Sequence, residues 1–421
     1  MRLLYALAWL VVLPFAFLYL LWRARRQPEY LAHWPERLGF GPAAGPRPRV
    51  LVHAVSLGET RAAEPLVEAL LARHPDWEVL LTHATPTGRA AGRERFAGRV
   101  ARAYLPYDFP PLVALFLARS QPALVIVMET EIWPGLFQGC AARGIPVFLV
   151  NARLSDRSWR GYRRIAKLAG PALASLAGLA AQTRDDAARL ADLGGQNIQV
   201  MGNLKFDMAP PAGWEATGAA LRARFEGRFA LLAASTREGE EAVLLDLLAK
   251  PGLEDLLLVL VPRHPQRFEE VARLIQGRGL AWGRRSALDG IPAGARVVLG
   301  DSMGEMAAYY AAADLAYIGG SLLPFGGQNL IEAAALGCPA LVGPHTWNFA
   351  EAAEQAVEAG AARRVNDLVE LAAVVAALRE DSGTLAAMAE AGRRFTEANR
   401  GATERVLELV EPAMAGARKR P

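Results

Sequence analysis

Few of the residues that usually carry cofactors or covalent chemistry are present. The 421 residues include two cysteines, Cys140 and Cys338, and six histidines. The cysteines lie far apart in apolar surroundings, which suits a reducing compartment, gives no metal-ligand spacing and leaves packing as their expected role. Long basic arms and zinc-finger spacings are missing too, and the net charge of +4 is modest, which excludes the usual nucleic-acid binders. Short-period repeats and low-complexity tracts are also lacking. What remains is a largely apolar chain, long enough for two ordinary domains with a core each.

A stretch without charge is the first positive feature. Leu3 to Trp22 is twenty residues with no charge, long enough as a helix to cross the hydrocarbon core of a bilayer. A cleaved signal peptide is the competing reading, but the run exceeds a typical h-region and no small-residue cleavage site follows it. Only Arg2 precedes the segment, whereas Arg23, Arg25 and Arg26 follow it. Cytoplasmic flanks carry the excess of positive charge, so the expectation is a single-pass anchor over 1–22 with the rest of the chain in the cytoplasm.

Beyond the anchor, strand-like apolar runs alternate with helical patterns. The runs are Val50–Val55, Glu78–Thr82, Leu124–Met128, Val147–Val150 and Ile198–Met201, then Ala230–Ala233, Leu256–Val261, Arg296–Leu299, Leu315–Ile318 and Ala340–Val342. Such alternation predicts parallel sheets covered by helices. Met208–Trp214, holding Pro210, Pro211 and Gly213, reads as a linker. The expected fold class is α/β, with two doubly wound Rossmann-like domains, 23–210 and 211–421, facing a cleft; the last helix is free to pack back on the first domain. Ligands of such sheets bind at the carboxyl ends of the strands.

The loops at those strand ends hold the candidate chemistry. Ser56 and Glu59, in HAVSLGE at 53–59, fit a capping box in which Ser56 accepts from a helical amide and Glu59 returns to the cap amide. Equally, a carboxylate at the end of a first strand, beside Gly58 which clears space, could act as a general base. Glu129 and Glu131, in METEIWPG at 128–135, either orient a substrate or form the acidic start of a helix. No histidine or further aspartate completes a ligand set nearby, so no metal and no cofactor are expected. Arg153, Arg157, Arg160, Arg164 and Lys167 are spaced four, three, four and three, one stripe of a helix. That stripe is a solvated face or, with Trp159 and Tyr162 between its members, a surface for anionic headgroups or a phosphorylated lipid.

In the second half, Ser235 to Glu238, Pro262-Arg263-His264 and Asp301 to Glu305 each follow a strand-like run. Ser235 with Glu238 and Ser302 with Glu305 fit capping boxes, yet a hydroxyl and free amides at a helix start also suit a phosphate, which Arg263 could meet with its planar fork. The stretch GGSLLPFGGQNLIEAAALGCPALVGP at 319–344 adds Gly319 and Gly320 after a strand, a second glycine pair, and a helix expected from about Asn329 through Ala335 with Glu332 one turn in. Together these loops would ring one pocket.

The succession of HAVSLGE, METEIWPG, MGNLKFD, ASTREGEE, VPRHPQRF, GDSMGEM and the glycine stretch with Asn348-Phe349 after it closely resembles the Kdo (3-deoxy-D-manno-octulosonic acid) transferases of lipopolysaccharide synthesis. The likeness spans almost the whole chain in the right order. It implies a GT-B fold, a cytidine monophosphate-activated Kdo donor (CMP-Kdo), and the lipid A precursor lipid IVA as acceptor at the cytoplasmic face of a bacterial inner membrane. It also implies inversion at the anomeric centre without a metal. By that likeness Glu59 is the base, and Arg263, Ser302, Gly304, Asn329 and Glu332 fall in donor-binding motifs, with Glu332 facing the ribose. The loops read above add Ser235, Gly319 and Gly320 to the donor side and Ser56, Gly58, Glu129, Glu131, Arg157, Arg160 and Arg164 to the acceptor side. The chain departs from the family pattern at Gln328, Leu330 and Gly135, where histidine, proline and asparagine are expected. Two other readings stay open: a lipid-directed GT-B enzyme with a UDP-sugar donor, and a non-catalytic membrane-anchored binder of the same fold.

Overall fold

A computed structural model describes residues 2–417, and the chain divides into two compact units, one running to Met208 and resuming at Arg400, the other Ala209–Asn399. The first unit opens with the helix Arg2–Ala24, which contains Pro14. Its Leu4–Ala24 portion, of mean hydropathy 2.3, is long and apolar enough to cross a membrane. The helix packs on its own unit. The Tyr5 hydroxyl donates to Asp108 Oδ2 at 2.6 Å, and the Trp9 and Phe17 rings lie 6.1 and 6.2 Å from that of Tyr107.

The first sheet consists of β1 (Arg49–His53), β2 (Glu78–His83), β3 (Ala101–Tyr104), β4 (Leu124–Met128), β5 (Val147–Ala152), β6 (Gly178–Ala181) and β7 (Ile198–Val200), in the order β3-β2-β1-β4-β5-β6-β7. All pairings are parallel, with Val52 opposite both Leu81 and Ile126. Because residues alternate sides along a strand, Val50, Val52, Ile126 and Val150 feed one apolar layer while Leu51, Val125, Val127 and Leu149 feed the other. Burial of both faces is why these runs read as continuously apolar. The winding reverses between β1 and β4, so the loops that follow these two strands part to opposite faces and leave room between them.

The second unit repeats the plan with β8 (Ala230–Thr236), β9 (Leu257–Pro262), β10 (Trp282–Arg284), β11 (Val297–Leu299), β12 (Leu315–Ile318), β13 (Ala340–Val342) and β14 (Ala362–Arg364), ordered β10-β11-β9-β8-β12-β13-β14. Here the reversal falls between β8 and β12.

Strands β3, β6, β10 and β14 were not anticipated from the sequence. Each is three or four residues long and rich in Arg, Ala or Gly, and the neighbouring strand rather than local pattern makes them extended. The second unit ends at Asn399. The terminal helix Ala402–Ala417 buries Val406, Leu407 and Val410 in the first unit's core beside Leu66 and Phe148. Asp207 fastens its start by accepting from the Gly401 and Thr403 amides at 2.7 and 2.6 Å.

Candidate active site

At the end of β1 the chain turns into the short helix Leu57–Ala62, capped by Ser56. The cap differs in one respect from a standard capping box. Ser56 Oγ accepts from the Glu59 amide at 3.4 Å, but the Glu59 carboxylate accepts from the Val55 amide at 2.8 Å and from the Ser56 hydroxyl at 3.0 Å, not from the cap amide itself. Glu59 is 9% exposed. Burial, and then the nearby Glu129 charge, push its carboxyl from 4.5 up to about 8, against the lowering effect of the Val55 amide. A Cβ placed on Gly58 would meet only Ser56 Oγ, at 3.9 Å, so there is open space beside Gly58.

Glu129 follows β4, directly across the reversal point. Its backbone is left-handed, φ 57°, a conformation costly for a side-chain-bearing residue, and its carboxylate pairs with Lys205 at 3.2 Å. Glu131 lies in the same loop, its carboxyl raised mainly by burial and then by Glu129. The Trp133 ring stands edge-on to His53 of β1 at 5.7 Å, joining this loop to the first. The structure thus brings Ser56, Gly58, Glu59, Glu129 and Glu131 to one place. Lys205 belongs there too, and only its position in MGNLKFD hinted at it.

The basic stripe is broken up. The helix Asp156–Arg164 ends at Ile165, a second helix begins at Ala166, and Arg153 precedes both. Arg157, Arg160 and Arg164 therefore share one exposed helix, while Arg153 and Lys167 leave the stripe. Arg160 pairs with Asp156 at 2.5 Å. Tyr162 of this helix reaches the Thr130 carbonyl at 3.5 Å, so the basic helix abuts the acidic loop without placing its arginines on Glu59.

In the second unit, Gly319 approaches the β8 end so closely that a Cβ would lie 2.5 Å from the Ser235 carbonyl oxygen. Ser235 is itself left-handed at φ 59°, and the next helix, Glu240–Leu247, starts behind Gly239. Ser235 is therefore no helix cap, because the box needs an extended cap residue. Glu240, fully buried, gathers the loops: it accepts from the Arg237 amide at 2.9 Å, the Gly320 amide at 2.6 Å and the Tyr317 hydroxyl at 2.6 Å. Its neighbour Glu241 accepts from Thr236 at 2.8 Å and from Arg267 at 2.5 and 3.2 Å. Sequence reasoning passed over both. Two adjacent acids in the first turn after a buried strand were the available signal.

Arg263 Nε donates to Gln328 Oε1 at 3.1 Å, which gives the departure at 328 a defined role as an anchor for the guanidinium. Arg237 lies over the Phe325 ring at 4.6 Å. His264 is held below the usual imidazole range by burial and then by Arg237 and Arg263. Arg237, also paired with Glu238 at 3.2 Å, and Arg263 put two guanidinium groups beside a left-handed glycine turn, chemistry suited to a phosphate. The helix expected from Asn329 spans only Ile331–Ala335, and Asn329 Oδ1 already occupies the Ile331 amide at 3.1 Å. The expected anion site at that helix start is thus partly filled by the protein. Glu332 sits on this helix near Tyr310. Ser302 bonds to the Tyr309 hydroxyl at 2.6 Å rather than capping a helix, which begins at Met306 behind Glu305. Gly304 has φ 77° and open space around it. Among the described residues no group of three His, Cys, Asp or Glu could hold a metal ion.

Comparison with known proteins gives this geometry its context. The family model for 3-deoxy-D-manno-octulosonic-acid transferase (kdotransferase) matches residues 32–208. A 3-deoxy-D-manno-octulosonic acid transferase of Bordetella pertussis is 45% identical over 97% of this chain and 98% of its own. One from Haemophilus influenzae is 37% identical over 92% of each. Among solved structures, a glycosyltransferase from Rickettsia africae superimposes with a TM-score of 0.60 at 13% identity, covering 88% of this chain and 99% of that one, a likeness of fold. A relative so similar over nearly its full length leaves one assignment, and the chain belongs to the family of Kdo transferases, glycosyltransferases with two parallel-sheet α/β domains of the GT-B kind.

Proposed function

We propose that this Kdo transferase takes Kdo from CMP-Kdo and delivers it to lipid IVA at the cytoplasmic face of a bacterial inner membrane, inverting the anomeric centre with Glu59 as general base. The observation that carries this reading is Glu59 itself. Attack of a sugar hydroxyl on the anomeric carbon requires a group that takes its proton, and a base works best with a pKa near the working pH. A carboxyl raised to about 8 and held on two donors, the Val55 amide and the Ser56 hydroxyl, suits that task. Two hydrogen bonds orient the carboxylate while leaving lone pairs for the acceptor.

The second domain supplies the donor contacts in this reading. As the glycosidic phosphate departs it gains charge, which fixed cations and amides stabilise. Arg237 and Arg263, beside the Gly319–Gly320 turn, fill that role, with Ser235, Ser302, Gly304, Asn329 and Glu332 around them. The exposed Arg157, Arg160 and Arg164 attract the acceptor's anionic groups, and Glu129 and Glu131 raise the basicity of Glu59.

Purified full-length protein with CMP-Kdo and lipid IVA tests the whole reading. The acceptor mass is expected to rise by one or more Kdo units. In a thermal-shift titration cytidine nucleotides are expected to stabilise the protein and uridine nucleotides are not. Folded protein that gives no product and is stabilised by uridine nucleotides would replace this donor with a UDP-sugar.

A further inference from the structure

The N-terminal helix has two apolar faces with different surroundings. Tyr5, Trp9, Phe17, Leu20 and Ala24 recur at helical spacing along the face against the first domain, and Leu20 and Ala24 are buried. Leu4, Leu7, Val11, Phe15, Leu18 and Trp22 run along the other face and are 49–65% exposed. Exposed apolar surface on this scale marks an interaction site.

The inner face is fastened along its length. Near its start, Tyr5 donates to Asp108, which is 1% exposed and also accepts from the Gly135 and Leu136 amides at 2.7 Å each. Further along, Phe17 packs on Tyr107 and Trp34 at 6.2 Å. At its end Arg23 donates to the Tyr30 hydroxyl at 2.7 Å. Tyr5 and Ala24 are about 28 Å apart along the axis, close to the roughly 30 Å of a bilayer's hydrocarbon core. In a helix that crosses the bilayer with the domains beside Arg23, Tyr5 sits at the far interface. Asp108, inside the folded first domain, cannot be there. The Tyr5–Asp108 bond and a crossing helix exclude each other.

We infer that the helix lies in the plane of the membrane surface, its Leu4–Trp22 face in the lipid and its Tyr5–Ala24 face on the first domain. An in-plane helix ordinarily needs a polar side towards water. This one does not, because protein covers that side. Arg25 and Arg26 then meet anionic headgroups, and Leu31 and Phe40, 40 and 54% exposed, add apolar surface beyond the end of the helix. The clasp also reaches the site. Asp108 holds the first amides of the helix Pro134–Ala141, which follows the Glu129–Trp133 loop, so seating the helix in lipid fixes the loop beside Glu59. Gly135 permits this, since a Cβ there would lie 2.6 Å from the Asp108 carbonyl oxygen. The departure from asparagine at 135 thereby acquires a reason.

The inference rests on the cytoplasmic placement proposed above, and the test separates the two. Arg2→Cys is introduced into the full chain, whose own Cys140 and Cys338 are buried, and probed with a membrane-impermeant maleimide. Labelling in inside-out membrane vesicles and none in spheroplasts is expected; the reverse pattern means that the helix crosses and overturns the inference. Val369→Cys, at a position 69% exposed in the second domain, is the control. Its labelling from outside would refute the cytoplasmic placement instead. Tyr5→Phe is expected to raise the KM for the lipid acceptor several-fold and leave that for the donor unchanged. An unchanged acceptor KM would overturn the clasp's positioning role.

Discussion

Glu59→Gln separates a catalytic carboxylate from a helix cap by activity and by pH at once. Gln keeps the size and an oxygen that can accept from the Val55 amide, and it serves in a capping box as Glu does. The folded-state pKa is raised from 4.5 to about 8, so the folded protein holds a proton that the unfolded chain releases. Stability from this group is therefore full below pH 4.5 and is lost as pH rises through 8. At about 1.4 kcal/mol per pH unit, the loss between pH 5 and 8 is at most about 4 kcal/mol. Gln has no such slope, so relative to the wild type the variant should gain stability with pH, by on the order of 2–4 kcal/mol. Thermal unfolding in detergent at pH 5 and 8.5 reads this directly. Wild-type kcat/KM should climb with pH and level off above about 8, whereas the variant should fall roughly a hundredfold to ten-thousandfold while still binding cytidine nucleotides. Near wild-type turnover in the variant at pH 8.5 would refute the reasoning, leave Ser56 to Glu59 as a helix cap, and move the search to Glu129 or Glu131.

Three further changes probe the other groups. Arg157, Arg160 and Arg164 changed together to Ala should raise the acceptor KM and flatten its salt dependence, with stability altered by less than about 0.5 kcal/mol per site; acceptor titrations at two salt concentrations check this. Glu240→Ala leaves the Arg237 and Gly320 amides and the Tyr317 hydroxyl without their acceptor. It should cost about 2–4 kcal/mol in denaturant unfolding and weaken nucleotide binding. Arg263→Lys keeps the charge but loses the planar fork and the bond to Gln328, so the donor KM should rise roughly tenfold with the acceptor KM unchanged.

Long Val- and Leu-rich strands such as β4 and β9 were legible because burial on both faces writes itself into every residue. The strands of three or four residues were not, since ARR at β14 or WGR at β10 acquires its extended form from the strand beside it. Cap chemistry shows the same limit. The spacing of Ser and Glu three residues apart is right at Ser56 and wrong at Ser235 and Ser302, because spacing says nothing about the backbone angle the cap residue must adopt. Glu59 could be located from its place after a first strand, but its elevated pKa comes from burial by the folded unit and then from Glu129, seventy residues further along. Glu240 was hidden for the opposite reason: an acid in a first helical turn looks local, and its partners Tyr317 and Gly320 come from a distant strand end.

The terminal helix gives the chain an order of assembly. Its Val406, Leu407 and Val410 complete the apolar layer that Val52, Leu66 and Phe148 begin, so the first domain cannot finish folding until the last residues leave the ribosome. At about 5–20 residues per second, synthesis of the intervening second domain takes roughly 10–40 s. Throughout that interval the incomplete layer is bare beside an N-terminal helix already seeking lipid. A ribosome working at the membrane surface would give the nascent protein a place to wait, with its apolar parts sheltered from other chains.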